Sequence, residues 1–232
     1  MSSERKTLSN QGDESIFCAS EKLVRLIETY QKSPGSRELL SRFTVAYWKE
    51  AGNRIGKNFQ VDNFPLTSQD LIEKQNEGLM AIFVPQGITR DDLLRIYPKM
   101  GMYATCQRLS IDNIRGLGCW LWIEASSTNL RKTLDSRDAS KGVFGQSLRT
   151  YIVGGQISKL LTGRYFDEKG LTVSELLGHQ PWERRILIAG FNSDGHLSTW
   201  SREEWSCRGA ICELKISGYR TEQVIASSHP SA

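Results

Sequence analysis

The sequence contains no apolar run close to the ~20 residues that a membrane-spanning helix needs. Its N-terminal stretch, MSSERKTLSNQGDES, lacks the apolar segment of a secretory signal. No block of five or more like charges occurs, and the net charge is only +4. These absences argue against a membrane protein and against a strongly basic nucleic-acid binder. They favour a cytoplasmic protein with a mixed-charge surface.

The cysteines also exclude several classes of site. They are five, an odd number, and no two form a CxxC pair. This spacing argues against a zinc site or a disulfide framework and favours reduced thiols in the cytoplasm. The sequence patterns of nucleotide-binding loops and of serine hydrolases are absent as well. Neither a metal nor a cofactor is predicted. The five are Cys18, Cys106, Cys119, Cys207 and Cys212.

The composition that remains is that of a globular protein, 39% hydrophobic and 24% charged, with six tryptophans as its unusual feature. Helical and strand patterns occur without the regular alternation of a doubly wound sheet. The predicted fold is therefore α+β, with a mixed or antiparallel sheet, packed helices and an N-terminal helical hairpin. The predicted divisions are a disordered tail at 1–14, the hairpin at 15–57, an α+β domain at 58–218 and a second tail at 219–232.

The hairpin is predicted from apolar residues that recur at three- and four-residue steps. Its first helix begins at Ser15 and breaks at Ser33-Pro34-Gly35. Its second helix is capped by Ser36 and ends at Gly52-Asn53. The following residues, 53–66, are predicted to form a loop whose aromatic side chains pack down.

Two shorter helices are predicted from their first residues. Thr67 and Asp70 have the spacing of a capping box, and Thr89 is placed to cap the second short helix, which Pro98 ends. Thr172 is predicted to cap a third short helix over 173–178.

The strands are predicted from apolar runs and from alternation. Leu79–Val84 is apolar on both faces, which predicts a central strand. Residues 211–217 alternate cleanly and are predicted to add an edge strand. Residues 126–147 are polar and lack periodicity, which predicts a long loop that is functional or mobile. Other strands are predicted at 102–109, 119–125 and, as a hairpin around the turn at 192–195, at 186–191 and 197–200.

The segment from Arg149 to Glu168 combines an apolar run with a glycine pair. Its Gly154-Gly155-Gln156 resembles the GGQ of translation release factors, in which a glutamine on a flexible loop helps to place water at the peptidyl ester. That motif lies in a polar, glycine-rich loop, whereas here it follows the apolar residues 151–153. The other interpretation is a turn from a strand into a short helix. Such a turn, with Lys159 and Arg164 nearby, is also a candidate anion site.

Four side chains are candidates for acid–base catalysis. Asp167 and Glu168 are adjacent carboxylates, and Asp194 and His196 flank Gly195 in the predicted hairpin turn. The alternative for each pair is an ordinary solvated turn.

Trp120 and Trp122 lie on one face of a predicted strand. They form either a stacking platform for bases or part of the core beneath a helix. A platform would need phosphate contacts from neighbouring basic residues. Those residues are Arg131, Lys132, Arg137, Lys141, Arg149 and Lys159.

The segment TYIVGGQISKLLTGRYFDEKGLTVSELLG, with the later FNSDGHL, resembles a group of uncharacterised bacterial proteins that share this core. The resemblance covers roughly residues 117–200. It implies a bacterial origin and a single structural unit over 149–200, and it assigns no activity, cofactor or catalytic residue.

The leading hypothesis is a non-enzymatic cytoplasmic binding or accessory domain, with the loop at 126–147 and the glycine turn as its contact surface. Its partner would be a protein or a nucleic acid, and no membrane. One alternative is a nucleic-acid-binding protein that uses the basic loop and the tryptophan platform. The other is a hydrolase or transferase built on the four acid–base candidates.

Overall fold

The computed structural model describes residues 19–100, 118–124, 143–165, 174–177, 185–191, 195–203 and 212–215. Helices α1 to α5 span Glu21–Lys32, Arg37–Ile55, Ser68–Asn76, Arg90–Ile96 and Leu148–Thr162. Strands β1 to β7 span Leu79–Val84, Cys119–Glu124, Val143–Ser147, Ser174–Leu177, Arg185–Phe191, Leu197–Glu203 and Cys212–Lys215. The α+β prediction is confirmed. The predicted tails and the strand at 102–109 lie outside the described residues.

The N-terminal hairpin forms as α1 and α2, and serine caps begin both helices. Ser20 Oγ accepts a hydrogen bond from the Leu23 N–H, and Ser36 Oγ accepts one from the Leu39 N–H, each at 3.3 Å. The prediction that α1 begins at Ser15 is wrong in its boundary, because Ala19 and the capping Ser20 precede the helix. The serine at position 20 takes the role because its side chain satisfies an otherwise unbonded N–H of the first turn.

The second helix also ends later than predicted. It continues to Ile55, and Gly56 caps it with a φ of 72°, a conformation that favours glycine. Gly52 serves a different purpose, because a Cβ atom there would lie 2.3 Å from the carbonyl oxygen of Lys57. The glycine at 52 therefore permits close approach of the departing chain and does not stop the helix.

Both predicted threonine caps are confirmed, and each belongs to a complete capping box. The Thr67 side chain accepts from the Asp70 N–H, and the Asp70 carboxylate accepts from the Thr67 N–H at 2.9 Å. Thr89 and Asp92 make the same reciprocal pair at the start of α4, where Asp92 Oδ2 lies 2.8 Å from the Thr89 nitrogen.

The seven described strands form one sheet in the order β1-β2-β7-β3-β4-β5-β6. Neighbours are antiparallel except β3 and β4, which are parallel, so the sheet is mixed. The hairpin of β5 and β6 is confirmed, and its register pairs Phe191 with Leu197.

Four strand predictions need correction. Leu79–Val84 is at an edge of the described sheet and not at its centre. Helices α3 and α5 both contact this strand, and Trp48 Nε1 donates to the carbonyl oxygen of Phe83 at 3.0 Å. This packing explains an edge strand that is apolar on both faces. Strand β7 lies between β2 and β3, so the edge predicted at 211–217 is wrong. Residues 174–177 form β4 and not a helix, and 143–147 form β3 and not the end of a loop.

A single hydrophobic core joins the helices to the sheet. It contains Leu23 of α1, Trp48 of α2, Ile123 of β2 and Val153 of α5. Phe64 is fully buried, which confirms that the loop after α2 packs down. The proposed domain boundaries stay a prediction. None of the described helices is both long and apolar enough to cross a membrane.

Candidate functional site

The GGQ tripeptide lies inside a helix. Helix α5 runs from Leu148 to Thr162 without a break, and Gly154, Gly155 and Gln156 are all buried within it. The predicted strand-to-helix turn is therefore wrong. The anion site that depended on it is wrong as well, because N–H groups in a helix interior bond to carbonyls of the preceding turn. A buried helix is also unlike the flexible polar loop that carries GGQ in release factors.

Gly155 is required for packing. A Cβ atom at this position would lie 2.4 Å from Cε2 of Phe191, the last residue of β5. The Phe191 ring stacks on Tyr151 and on Tyr165, with centroid distances of 5.4 and 4.4 Å. Lys159 Nζ lies 5.2 Å from the centroid of the Tyr165 ring, a cation–π geometry. Two of the predicted site residues of α5, Gly155 and Lys159, thus contact an aromatic cluster at the end of β5.

The candidate acid–base residues are described only in part. His196 is exposed and follows Gly195, whose φ of 89° is a turn conformation. Asp167, Glu168 and Asp194 lie outside the described residues, so a shared site stays a prediction. Within the described ranges, no three His, Cys, Asp or Glu side chains are grouped as metal ligands.

The two tryptophans of β2 belong to the core. Trp120 and Trp122 are 4% and 3% exposed, and the ring of Phe64 contacts both edge-on. Trp120 Nε1 donates to the carbonyl oxygen of Asp62 at 2.9 Å. The core interpretation is confirmed, and the surface stacking platform is wrong because both side chains are buried. Two of the basic residues assigned to that platform, Arg149 and Lys159, are half-buried on α5. The other four lie outside the described residues: Arg131, Lys132, Arg137 and Lys141.

A concave surface that the sequence analysis did not identify runs between α1 and α2. We call it the hairpin groove. It has a volume of 1360 Å³ and is lined by five basic and three acidic side chains. The basic residues are Lys22, Arg25, Arg37, Arg42 and Lys49, and the acidic residues are Glu21, Glu38 and Glu50.

Apolar side chains also line the hairpin groove. Leu26 and Ala46 are half-buried in it, and Val45 is 42% exposed, one of only three large hydrophobic side chains exposed among the described residues. A single exposed valine is ordinary on a protein surface. Its place in the groove lining beside half-buried apolar residues makes it a candidate contact.

Each acidic side chain of the groove is already engaged. Glu21 pairs with Arg25, Glu38 Oε1 lies 3.9 Å from Arg42 Nη1, and the Glu50 carboxylate accepts from Ser20 N and Oγ at 2.7 Å each. The two ion pairs, Glu21–Arg25 and Glu38–Arg42, are exposed and contribute little stability, so a ligand can replace them at small cost.

Three basic side chains of the groove form no ion pair with any described carboxylate. They are Lys22, Arg37 and Lys49. Arg37 instead donates from Nε to the carbonyl oxygen of Phe64 at 2.9 Å. The lining of the groove therefore combines a surplus of positive charge with apolar side chains.

The signal for this surface is weak in the sequence. Lys22 and Arg25 are three residues apart, and Arg42 and Lys49 are seven apart, so each pair lies on one helical face. Taken helix by helix, these faces read as ordinary solvated surface. Only the side-by-side packing of α1 and α2 brings them to one groove.

The chain matches no protein-family model, no curated protein sequence and no solved structure. The resemblance to bacterial proteins drawn from residues 117–200 therefore stays a prediction, and the function has to be argued from the residues themselves.

Proposed function

We propose that this chain is a non-enzymatic binding domain, and that the hairpin groove holds an acidic amphipathic helix from a partner protein. The observation that carries the proposal is the combination, in one groove lining, of exposed Val45 beside apolar neighbours with cations that form no ion pair with a described carboxylate. An amphipathic helix places its apolar face in such a groove, and its flanking charges set orientation and partner choice.

The dimensions of the groove support a helical ligand. Helix α1 has 12 residues, which corresponds to a length of about 18 Å, or roughly three helical turns. The crease between two packed helices accepts a third along its length, as in a small bundle. Acidic residues on both flanks of such a helix would lie against the cations contributed by α1 and α2.

A protein partner fits this surface better than a nucleic acid. The lining mixes glutamates with its cations, whereas a nucleic-acid site is a more uniform basic stripe. The apolar residues among the described lining are aliphatic, while single strands are bound by stacking on aromatic rings. A cytoplasmic location, predicted from the cysteine pattern, forms part of the same proposal.

Three probes test the proposal on the full chain by fluorescence anisotropy. The first is a designed helical peptide with leucines at i, i+3, i+4 and i+7 and glutamates on both flanks. The second has the same leucines with lysines on the flanks, and the third is a single-stranded RNA. We expect binding of the acidic peptide alone. Equal binding of both peptides, no peptide binding, or RNA binding that weakens steeply with salt would contradict the proposal.

A further inference from the structure

A second cavity, separate from the hairpin groove, lies where three helices end. It has a volume of 550 Å³, within the range of about 300–1,000 Å³ typical of small-molecule sites. The last residues of α1, α3 and α5 meet the first residues of β1 around it. Its lining residues are Tyr30, Gln31, Pro34, Gln75, Gly78, Leu79, Met80, Leu161 and Thr162.

The walls of this cavity are mainly apolar and carry few polar groups. Two glutamines bridge the helix ends. Gln31 Nε2 donates to the Leu161 carbonyl at 2.6 Å, and Gln75 Nε2 donates to both the Tyr30 hydroxyl and the Pro34 carbonyl, at 3.2 and 3.0 Å. These bonds hold α1, α3 and α5 around the cavity. They also engage both amide hydrogens of Gln75.

The hydroxyl group of Tyr30 can donate one further hydrogen bond. Its hydroxyl oxygen accepts from Gln75, but no described residue accepts the hydroxyl hydrogen. Tyr30 is only 6% exposed, and a buried donor without an acceptor is unfavourable. Burial raises the pKa of Tyr30 to about 12, an effect that the Gln75 hydrogen bond partly offsets. The phenol therefore remains a donor at neutral pH.

We infer that this cavity binds a small, neutral, apolar molecule, whose carbonyl or ether oxygen accepts the hydroxyl hydrogen of Tyr30. Among the described residues, no Lys, Arg or His side chain lines the cavity. A carboxylate or phosphate in it would gain no counter-ion from these lining residues. A neutral oxygen on an apolar body satisfies Tyr30 and fills the space beside Leu79, Met80 and Leu161.

The probe that tests this inference is prodan, a neutral naphthalene whose carbonyl group makes its emission sensitive to hydrogen bonding. Fluorescence titrations would compare the full wild-type chain with Tyr30→Phe and Gln31→Trp. The first variant removes the donor and keeps the ring, and the second fills the cavity from the exposed side of α1. Val24→Ala, on α1 but outside the cavity, serves as the control.

We expect wild type and Val24→Ala to bind prodan alike. Tyr30→Phe should bind it about three- to tenfold more weakly, as for the loss of one hydrogen bond, and with bluer emission. Gln31→Trp should bind it more weakly still. Absence of binding to the wild type overturns the inference, and so does a Tyr30→Phe variant with unchanged affinity and emission. The peptide experiment on the hairpin groove is independent of either result.

Discussion

Gly155 of α5 and Phe191 of β5 approach so closely that no side chain fits between them. A Cβ atom at Gly155 would lie 2.4 Å from Cε2 and 2.9 Å from Cδ2 of the Phe191 ring. Tyr151 and Tyr165 hold that ring in a stack, so it cannot move aside freely. A glycine in the middle of a helix is normally unfavourable, and here it sets how close α5 lies to the sheet.

We expect Gly155→Ala to lower the free energy of unfolding, although alanine is the better helix former. Overpacking a core costs about 1–3 kcal/mol, which outweighs a helix-propensity gain of about 1 kcal/mol. Gly155→Val should cost more. Chemical denaturation monitored by circular dichroism measures both variants.

The control for this prediction is a double-mutant cycle with Phe191→Leu. The smaller side chain makes room at the contact, so Gly155→Ala should cost less in that background. If the cost of Gly155→Ala is the same in both backgrounds, the clash with Phe191 is not its cause.

Buried tyrosines should make the fold sensitive to alkaline pH. Burial raises the pKa of Tyr30 to about 12, and it raises those of Tyr47 and Tyr97, whose hydroxyls bond to each other, above their ordinary value. In the unfolded chain these groups ionise near pH 10. The folded state then binds more protons than the unfolded state, so stability is complete below that pH and falls above it.

The expected slope is up to about 1.4 kcal/mol per pH unit for each tyrosine. Denaturation curves from pH 9 upward, with tyrosinate absorbance as a second signal, measure it. The Tyr97→Phe variant should show a shallower slope because one titrating group is gone. A free energy of unfolding that stays constant up to pH 11 would contradict the burial of these groups.

The Lys57–Asp92 pair gives an acid-side prediction. Burial raises the pKa of the Asp92 carboxyl, but hydrogen bonds from Lys57 and Thr89 outweigh it and leave the pKa below its ordinary value. Lys57 Nζ lies 2.6 Å from Asp92 Oδ2. Lys57→Met leaves a buried carboxylate without its cation. Because Lys57 is half-exposed, we expect a loss of only about 1–2 kcal/mol at pH 7.

The pH dependence of that loss identifies its cause. The contribution of wild-type Asp92 is present above its unfolded pKa, near 3.9, and is lost as pH falls through the folded value. Without Lys57 the carboxyl should protonate more readily, so the difference between the two proteins should shrink towards pH 3. Lys74→Met, which removes an exposed pair with Glu77, is the matched control and should change stability by less than about 0.5 kcal/mol. A pH-independent loss in Lys57→Met would contradict the account.

Local signals predicted the local structure well. Thr67 and Asp70 at the start of α3 form a capping box, as their spacing indicated, and Thr89 caps α4 as predicted. The hairpin of α1 and α2 and the hairpin of β5 and β6 also follow from short-range patterns. In each case the residues that determine the element are neighbours in the chain.

Predictions failed where distant residues decide the outcome. Tyr151–Val153 is a short apolar run, which periodicity alone cannot assign to a strand or a buried helix. Gly155 marks a contact with Phe191, 36 positions away, and not a turn. The places of β1 and β7 depend on non-local pairing, which alternation along one strand does not specify. The hairpin groove required the packing of two helices whose polar faces look ordinary when taken singly.

The central claim is that the hairpin groove binds an acidic amphipathic helix, and two valines test it most directly. Val45 in the groove and Val24 outside it are 42% and 41% exposed on neighbouring helices. Glutamate is a better helix former than valine, so neither substitution should harm folding.

The measurement is the affinity of the glutamate-flanked peptide for Val45→Glu and Val24→Glu at about 0.15 M salt, where long-range charge effects are screened. We predict at least roughly tenfold weaker binding for Val45→Glu and near-wild-type binding for Val24→Glu. Equal affinities for the two variants would contradict the claim.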